Sequence, residues 1–392
     1  MPNADRFPGA LVLEDGRIFG GEPFGAPVDI EGEAVFTTTM TGYQEVATDP
    51  SFHGQIVCMT YPLIGNYGVM ADDDQSRQPW IAGMIVREDC DEPSNWRSTG
   101  TFAAYLMRHG IPALRWVDTR ALTRHLRLHG TMRALLVHDR RRWTDAELRD
   151  RARNAWSPGD GDVVRDVTTV AARGMEVDAP LHVVVIDCGV KEHILQSLQR
   201  RGVRVSVVPY DTPPEEILAL KPDGVLTSPG PGDPARIQPA VRTIQALIDA
   251  RIPYIGVCLG HQFLALAIGA RTSKLKFGHR GGNHPVKDLM TGQVYITSQN
   301  HGYQVDAGSV PLDRGWRVSQ VSLNDGSVEG LTHISLPVFS IQYHPEGAPG
   351  PQDSQYLFDR FIRTIQRHRA THPNEETRAS MPAGVAGERG KP

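Results

Sequence analysis

Cysteine is scarce: the 392-residue chain has four, Cys58, Cys90, Cys188 and Cys258. So few exclude a disulfide framework and fit a reducing, cytoplasmic setting. None has the C-x-x-C spacing of zinc and redox motifs. A G-x-x-x-x-G-K-[ST] phosphate loop is missing, and so is any internal repeat. Charge of one sign is also missing: 41 Lys and Arg against 45 Asp and Glu leave −4, which points to neither nucleic acid nor an anionic membrane as partner. The opening MPNADRFPGALVLEDG carries acids and no apolar centre, so it does not read as a signal peptide. Ile252 to Ala270 is 19 residues without Asp, Glu, Lys or Arg, approaching membrane-spanning length. Pro253, Gly256, Gly260, His261 and Gln262 interrupt it, and a buried strand, a sharp turn and a core helix account for it better.

What remains is an ordinary globular composition, 40% hydrophobic and 22% charged, in a chain long enough for two domains. The first 70 residues read as β-rich: ALVLEDGRIFGG, EAVFTTTMTGYQEV and GQIVCMTYPLIG, punctuated by Gly and Pro. Helical patterns follow at TFAAYLMRHG, TRALTRHLRLHG and TDAELRDRARNAW, the last with a Thr-Asp start. Arginine is dense from Arg120 to Arg153. Asp139, Asp145, Glu147 and Asp150 intersperse it, which suits a solvated face or a subunit contact better than nucleic acid. We divide the chain into an N-terminal domain (1–155), a Gly/Pro/Asp-rich linker (156–180), an α/β domain (181–370) and a disordered tail (371–392). In the α/β domain HVVVID is a run suited to a strand buried on both faces. Helices and strands then alternate to IPYIGV, predicting an open, mainly parallel sheet flanked by helices. RTSKLKF, VYITSQN, WRVSQVS and HISLPVFSIQYH add strands that extend it.

Three segments carry chemistry. Gly256-Val257-Cys258-Leu259-Gly260-His261-Gln262 places a thiol on a tight strand-to-helix turn, where flanking glycines permit the bend and a helix N-terminus favours thiolate. Cys58 and Cys188, inside apolar runs, read as structural, and Cys90 as a loop thiol. His344-Pro345-Glu346 follows a hydrophobic strand and supplies a base with its orienting carboxylate, on one side if the chain there is extended. Ser228-Pro229-Gly230-Pro231-Gly232-Asp233-Pro234 forms a rigid loop after another strand, with amides able to face an anion. With the Leu259 amide it would make an oxyanion hole worth about 3–4 kcal/mol per donor.

V-C-L-G-H-Q, S-P-G-P-G-D-P and H-P-E, in that order, resemble the class I glutamine amidotransferases. M-T-G-Y-Q-E-V-A-T-D-P-S (40–51), T-Y-P-L-I-G-N-Y-G (60–68), G-H-R-G-G-N-H-P-V-K (278–287) and Q-N-H-G-Y-Q-V-D (299–306) are similar to the small, glutamine-hydrolysing subunits of carbamoyl-phosphate synthases. The resemblance spans about residues 9 to 368. It implies Cys258 as nucleophile, His344 as base and Glu346 as its partner. It implies glutamine contacts at Ser51, Gly230, Gly232, Leu259, Gln262, Asn300, Gly302 and Tyr303, with substrate at the domain interface. It further implies a heterodimer with a large subunit that receives ammonia and carries the ATP and Mg chemistry, leaving this chain with no cofactor and no catalytic metal. The remaining histidines show no ligand spacing. Glutaminase of another synthase, such as anthranilate or GMP synthase, is the alternative, against which the N-terminal domain and 278–287 argue. A catalytically silent module would have lost Cys258 or His344. Pro229 stands where these relatives more often have Asn, and Gly347 where Ala is usual, a change expected to loosen the turn.

Overall fold

The computed structural model describes residues 7–175 and 178–372. The N-terminal part is a closed seven-stranded barrel. Its strands are β1 (Gly9–Leu13), β2 (Ile18–Gly25), β3 (Ile30–Thr37), β4 (Gln55–Met59), β5 (Gly83–Ile85), β6 (Pro112–Arg115) and β7 (Met132–Val137), in the order β1-β2-β6-β5-β4-β3-β7. Closure leaves no free sheet edge. Four helices surround it: α1 (Tyr43–Thr48), α2 (Phe102–Arg108), α3 (Thr119–His129) and α4 (Asp145–Arg153). The Thr-Asp start of α4 forms a capping box between Thr144 and Glu147. One expectation fails at TGYQEV, which forms α1 rather than strand. The cause is tertiary: Tyr43, Gln44, Val46 and Ala47 are buried, and the Gln44 amide donates to the carbonyl of Met70 and to Asp74.

The described part of the segment expected as linker packs against the rest of the chain. Val163, Val164 and Val167 are buried, and a short strand, β8 (Arg173–Met175), joins the second sheet. That sheet continues with β9 (Leu181–Asp187), β10 (Val203–Pro209), β11 (Gly224–Thr227), β12 (Tyr254–Val257), β13 (Thr272–Asp288), β14 (Val294–Val305), β15 (Trp316–Ser322), β16 (Val328–His333) and β17 (Val338–Ile341). The order is β8-β10-β9-β11-β12-β17-β16-β15-β13-β14. The central five, β10 to β17, are parallel, and the late strands are antiparallel. Helices α5 (Glu192–Gln199) and α9 (Tyr356–Thr371) cover one face. On the other lie α6 (Pro214–Ala219), α7 (Gln238–Asp249) and α8 (Leu259–Ala267). Every residue of β9 is buried, as a doubly covered strand requires. Each large apolar side chain so placed contributes about 1.5–3 kcal/mol.

The uncharged stretch Ile252 to Ala270 resolves into β12, a turn and α8. Among the described residues no helix is long and apolar enough to cross a membrane. The tail expectation falls, beyond the end of α9 and His372, outside the described residues.

Candidate active site

Strands β11, β12 and β17 are parallel neighbours, and each of the three chemical segments follows the carboxyl end of one of them. In open α/β sheets that edge is where ligands bind. The loop 228–234 leaves β11, Cys258 leaves β12, and His344 follows β17.

Cys258 sits at φ 52°, ψ −101°, a sparsely populated conformation for a residue with a side chain. The fold holds it there: its amide donates to the Ile341 carbonyl at 2.9 Å, and α8 begins at Leu259. The flanking glycines are required by close approach. A Cβ on Gly256 would stand 2.4 Å from the Gly260 carbonyl oxygen, and one on Gly260 2.4 Å from that of Thr227. The thiol is buried, with Sγ 3.6 Å from the Asn300 carbonyl oxygen, beside the first turn of α8. Gly230 lies against Leu259, so both expected oxyanion donors are neighbours. Burial, by contrast, pushes the Cys58 thiol up to about 12 and that of Cys188 well above its ordinary value, which leaves both inert.

His344 Nδ1 is 2.9 Å from Glu346 Oε1, and both residues are buried. The geometry differs from an extended strand. β17 ends at Ile341, His344 makes an isolated bridge to Ser298, and a turn at Pro345-Glu346 swings the carboxylate back. Burial alone would lower the imidazole, but the Glu346 charge and contact with the Cys258 side chain outweigh it and push His344 up to about 10. Burial alone would likewise raise Glu346, but Lys191 and His344 hold its carboxyl far below the usual range. Gly347 corrects the expectation of a looser turn. It adopts φ 63°, and a Cβ there would stand 2.4 Å from the Pro351 carbonyl oxygen, so the turn is tight and suits glycine.

One cavity lies between the barrel and the sheet. Ser51, Gly230, Gly232, Cys258, Gln262, Asn300, Gly302 and Tyr303 all line it. Leu259 alone of the expected contacts turns its side chain into the core and offers only its backbone. Ser51 comes from a 3-10 turn capped by Asp49, which accepts from the Ser51 amide at 2.9 Å; the Ser51 Oγ is buried and has no partner among the described residues. The Gln262 amide donates to the Tyr303 carbonyl at 3.0 Å and to Gln342 at 3.1 Å.

Sequence reasoning missed the charges behind this wall. Lys191, 2% exposed, lies 2.8 Å from Glu346 and 4.0 Å from Asp49, and donates to the Ala348 carbonyl. Asp49 also accepts from Asn300 Nδ2 at 3.0 Å. A continuous path, Asn300–Asp49–Lys191–Glu346–His344, thus crosses the domain boundary. Its sequence signal is a lysine in the short loop that follows the buried strand β9. Glu33, Lys274 and Arg280 also line the cavity; Glu33 pairs with Lys274 at 2.7 Å.

Residues 184–364 match the family described as Glutamine amidotransferase class-I, and residues 11–136 match Carbamoyl-phosphate synthase small chain, CPSase domain. Among curated relatives, the carbamoyl phosphate synthase small chain of Symbiobacterium thermophilum is 51% identical over 91% of this chain and 98% of its own. That of Oceanobacillus iheyensis is 47% identical over 93% and 98%, and that of Archaeoglobus fulgidus 47% over 92% and 99%. With this similarity from barrel to amidotransferase domain, the chain belongs to the carbamoyl phosphate synthase small chain family.

Proposed function

We propose that this chain is the glutaminase subunit of a carbamoyl-phosphate synthase, hydrolysing glutamine to glutamate and ammonia at Cys258. The observation that carries the chemistry is the convergence of nucleophile, base and loop on three adjacent parallel strand ends. The Cys258 thiolate adds to the side-chain carboxamide carbon. The oxyanion forms against the amides of Gly230 and Leu259 at the start of α8. The His344 imidazolium protonates the departing nitrogen, so ammonia leaves and a γ-glutamyl thioester remains. The neutral imidazole then takes a proton from water, hydroxide adds to the thioester, and glutamate departs with the thiolate regenerated. Glu346 keeps Nδ1 of His344 engaged throughout, leaving Nε2 for the sulfur. Ser51, Gly232, Gln262, Asn300, Gly302 and Tyr303 hold the substrate.

Glutamine and a large synthase subunit are the partners, and ammonia passes to that subunit. ATP and Mg belong to the large subunit, since the residues here are those of thiol hydrolysis. We place the assembly, a heterodimer, in the cytoplasm; four unpaired cysteines support this. The test is carbamoyl phosphate synthesis by the reconstituted complex, driven separately by glutamine and by ammonia. Cys258→Ser abolishes the first rate and preserves the second; equal loss of both would refute the nucleophile assignment.

A further inference from the structure

Beyond the catalytic triad, three buried side chains converge from separate strands of the late, antiparallel part of the sheet: His279 on β13, His301 on β14 and Glu329 on β16. One ligand atom from each lies within 4.8 Å of the others. Their hydrogen bonds fix the tautomers. His301 Nδ1 is 2.7 Å from the Tyr303 carbonyl oxygen, which can only accept, so Nδ1 carries the proton and Nε2 presents a lone pair. His279 Nε2 is 2.9 Å from Asp325 Oδ2, a carboxylate, so in the neutral ring Nδ1 presents the lone pair. Both lone-pair nitrogens are buried and have no hydrogen-bond partner among the described residues. Glu329 Oε1 lies 3.6 Å from His279 Nδ1, on a side chain 0% exposed. Its Oε2 is oriented by the Gln299 amide at 2.9 Å.

Three acceptors thus face one another in a buried space, Glu329 Oε1 also accepting from the Ser327 hydroxyl at 3.3 Å. A proton on His279 would answer Glu329 and leave the His301 lone pair unmatched, whereas one cation answers all three. The outer partners, a carboxylate on one imidazole and a backbone carbonyl on the other, are those that orient metal-bound histidines. We infer that His279, His301 and Glu329 form a binding site for a divalent transition-metal ion of the zinc class, tying β13, β14 and β16 together. Two imidazoles and a carboxylate suit zinc at bond lengths of about 2.0–2.2 Å, with a fourth position for water. Closing to those lengths draws the ligands together by about an ångström. A cavity bordered by His279, His284, Asn324 and Asp325 provides an entry path. The ion's role is positioning, because His301 stands between Asn300 and Gly302 on the wall of the glutamine cavity.

The inference does not depend on the glutaminase reading, and its test is binding. Full-length protein carrying Cys258→Ser, to remove the active-site thiol as a ligand, is stripped with a chelator. It is then titrated with Zn²⁺ against a chromophoric competitor. One equivalent binds and raises the melting temperature; His279→Gln and Glu329→Gln each weaken binding more than tenfold and abolish the shift. Co²⁺ added to the same parent protein gives the visible d–d bands of a four-coordinate site, a readout that needs no variant at the cluster. Failure of the parent to bind Zn²⁺, affinity unchanged in the variants, or absence of the Co²⁺ bands would overturn the site. In the wild-type complex, metal removal raises KM for glutamine several-fold with little change in kcat. An equal fall in the ammonia-driven rate would refute the positioning role.

Discussion

Replacing Lys191 with Met removes a buried cation that joins the Glu346 carboxylate to the barrel. The ammonium lies 2.8 Å from Glu346 and 4.0 Å from Asp49, with these three side chains 2%, 0% and 3% exposed. Deleting one member of such a buried group leaves the rest uncompensated and typically costs about 3–5 kcal/mol. Methionine fills similar volume, so the loss is electrostatic rather than a cavity. Glu346 also loses the charge that most lowers its carboxyl. It then takes up a proton more readily, and the hold on His344 weakens. The assays are denaturant unfolding of the full chain and paired glutamine- and ammonia-driven synthesis by the complex. We expect stability to fall by about 3 kcal/mol or more. The glutamine-driven rate should drop at least tenfold, which corresponds to only about 1.4 kcal/mol at the barrier, and the ammonia-driven rate should hold. Loss of under about 1 kcal/mol, a surface-like value, with full glutamine activity would refute the network.

Ser51→Ala removes a hydroxyl that has no partner among the described residues, so stability should stay within about 0.5 kcal/mol. KM for glutamine should rise about tenfold, one lost hydrogen bond's worth; an unchanged KM would place Ser51 outside the substrate contacts. Gly347→Ala forces a side chain into a left-handed turn against the Pro351 carbonyl. It should lower stability by about 1–3 kcal/mol and slow glutamine turnover; neutrality in both measurements would refute the tight turn. The triad also predicts a pH dependence of stability. His344, raised in the folded state, contributes fully below the free imidazole value near 6.5, and that contribution disappears as pH rises through about 10. Glu346, depressed in the folded state, contributes above the usual carboxylate value near 4.5 and loses that as pH falls through its folded value. Unfolding midpoints from pH 6 to 11 should show the alkaline decline in wild type and less of it in His344→Asn; equal slopes would refute the assignment.

Much was legible in the sequence because it was written in contiguous residues. The run HVVVID could serve only as a strand buried on both faces. Gly-Val-Cys-Leu-Gly specified a sharp turn because only glycine tolerates the approach of the Gly260 and Thr227 carbonyls. Each candidate catalytic segment stood after a strand, and a parallel sheet brings successive strand ends to one edge. Residues 43–46 misled because burial of Tyr43 and Gln44 against the barrel overrode a local pattern that read as strand. Histidine spacing could not expose His279, His301 and Glu329, since three separate antiparallel strands bring them together. Local chain chemistry therefore determined the α/β architecture and the candidates for nucleophile and base. Only tertiary structure decided what surrounds them, because Asp49, Lys191 and Asn300 meet through packing of the barrel on the sheet, and a buried charge acquires its role only from the partners that packing supplies.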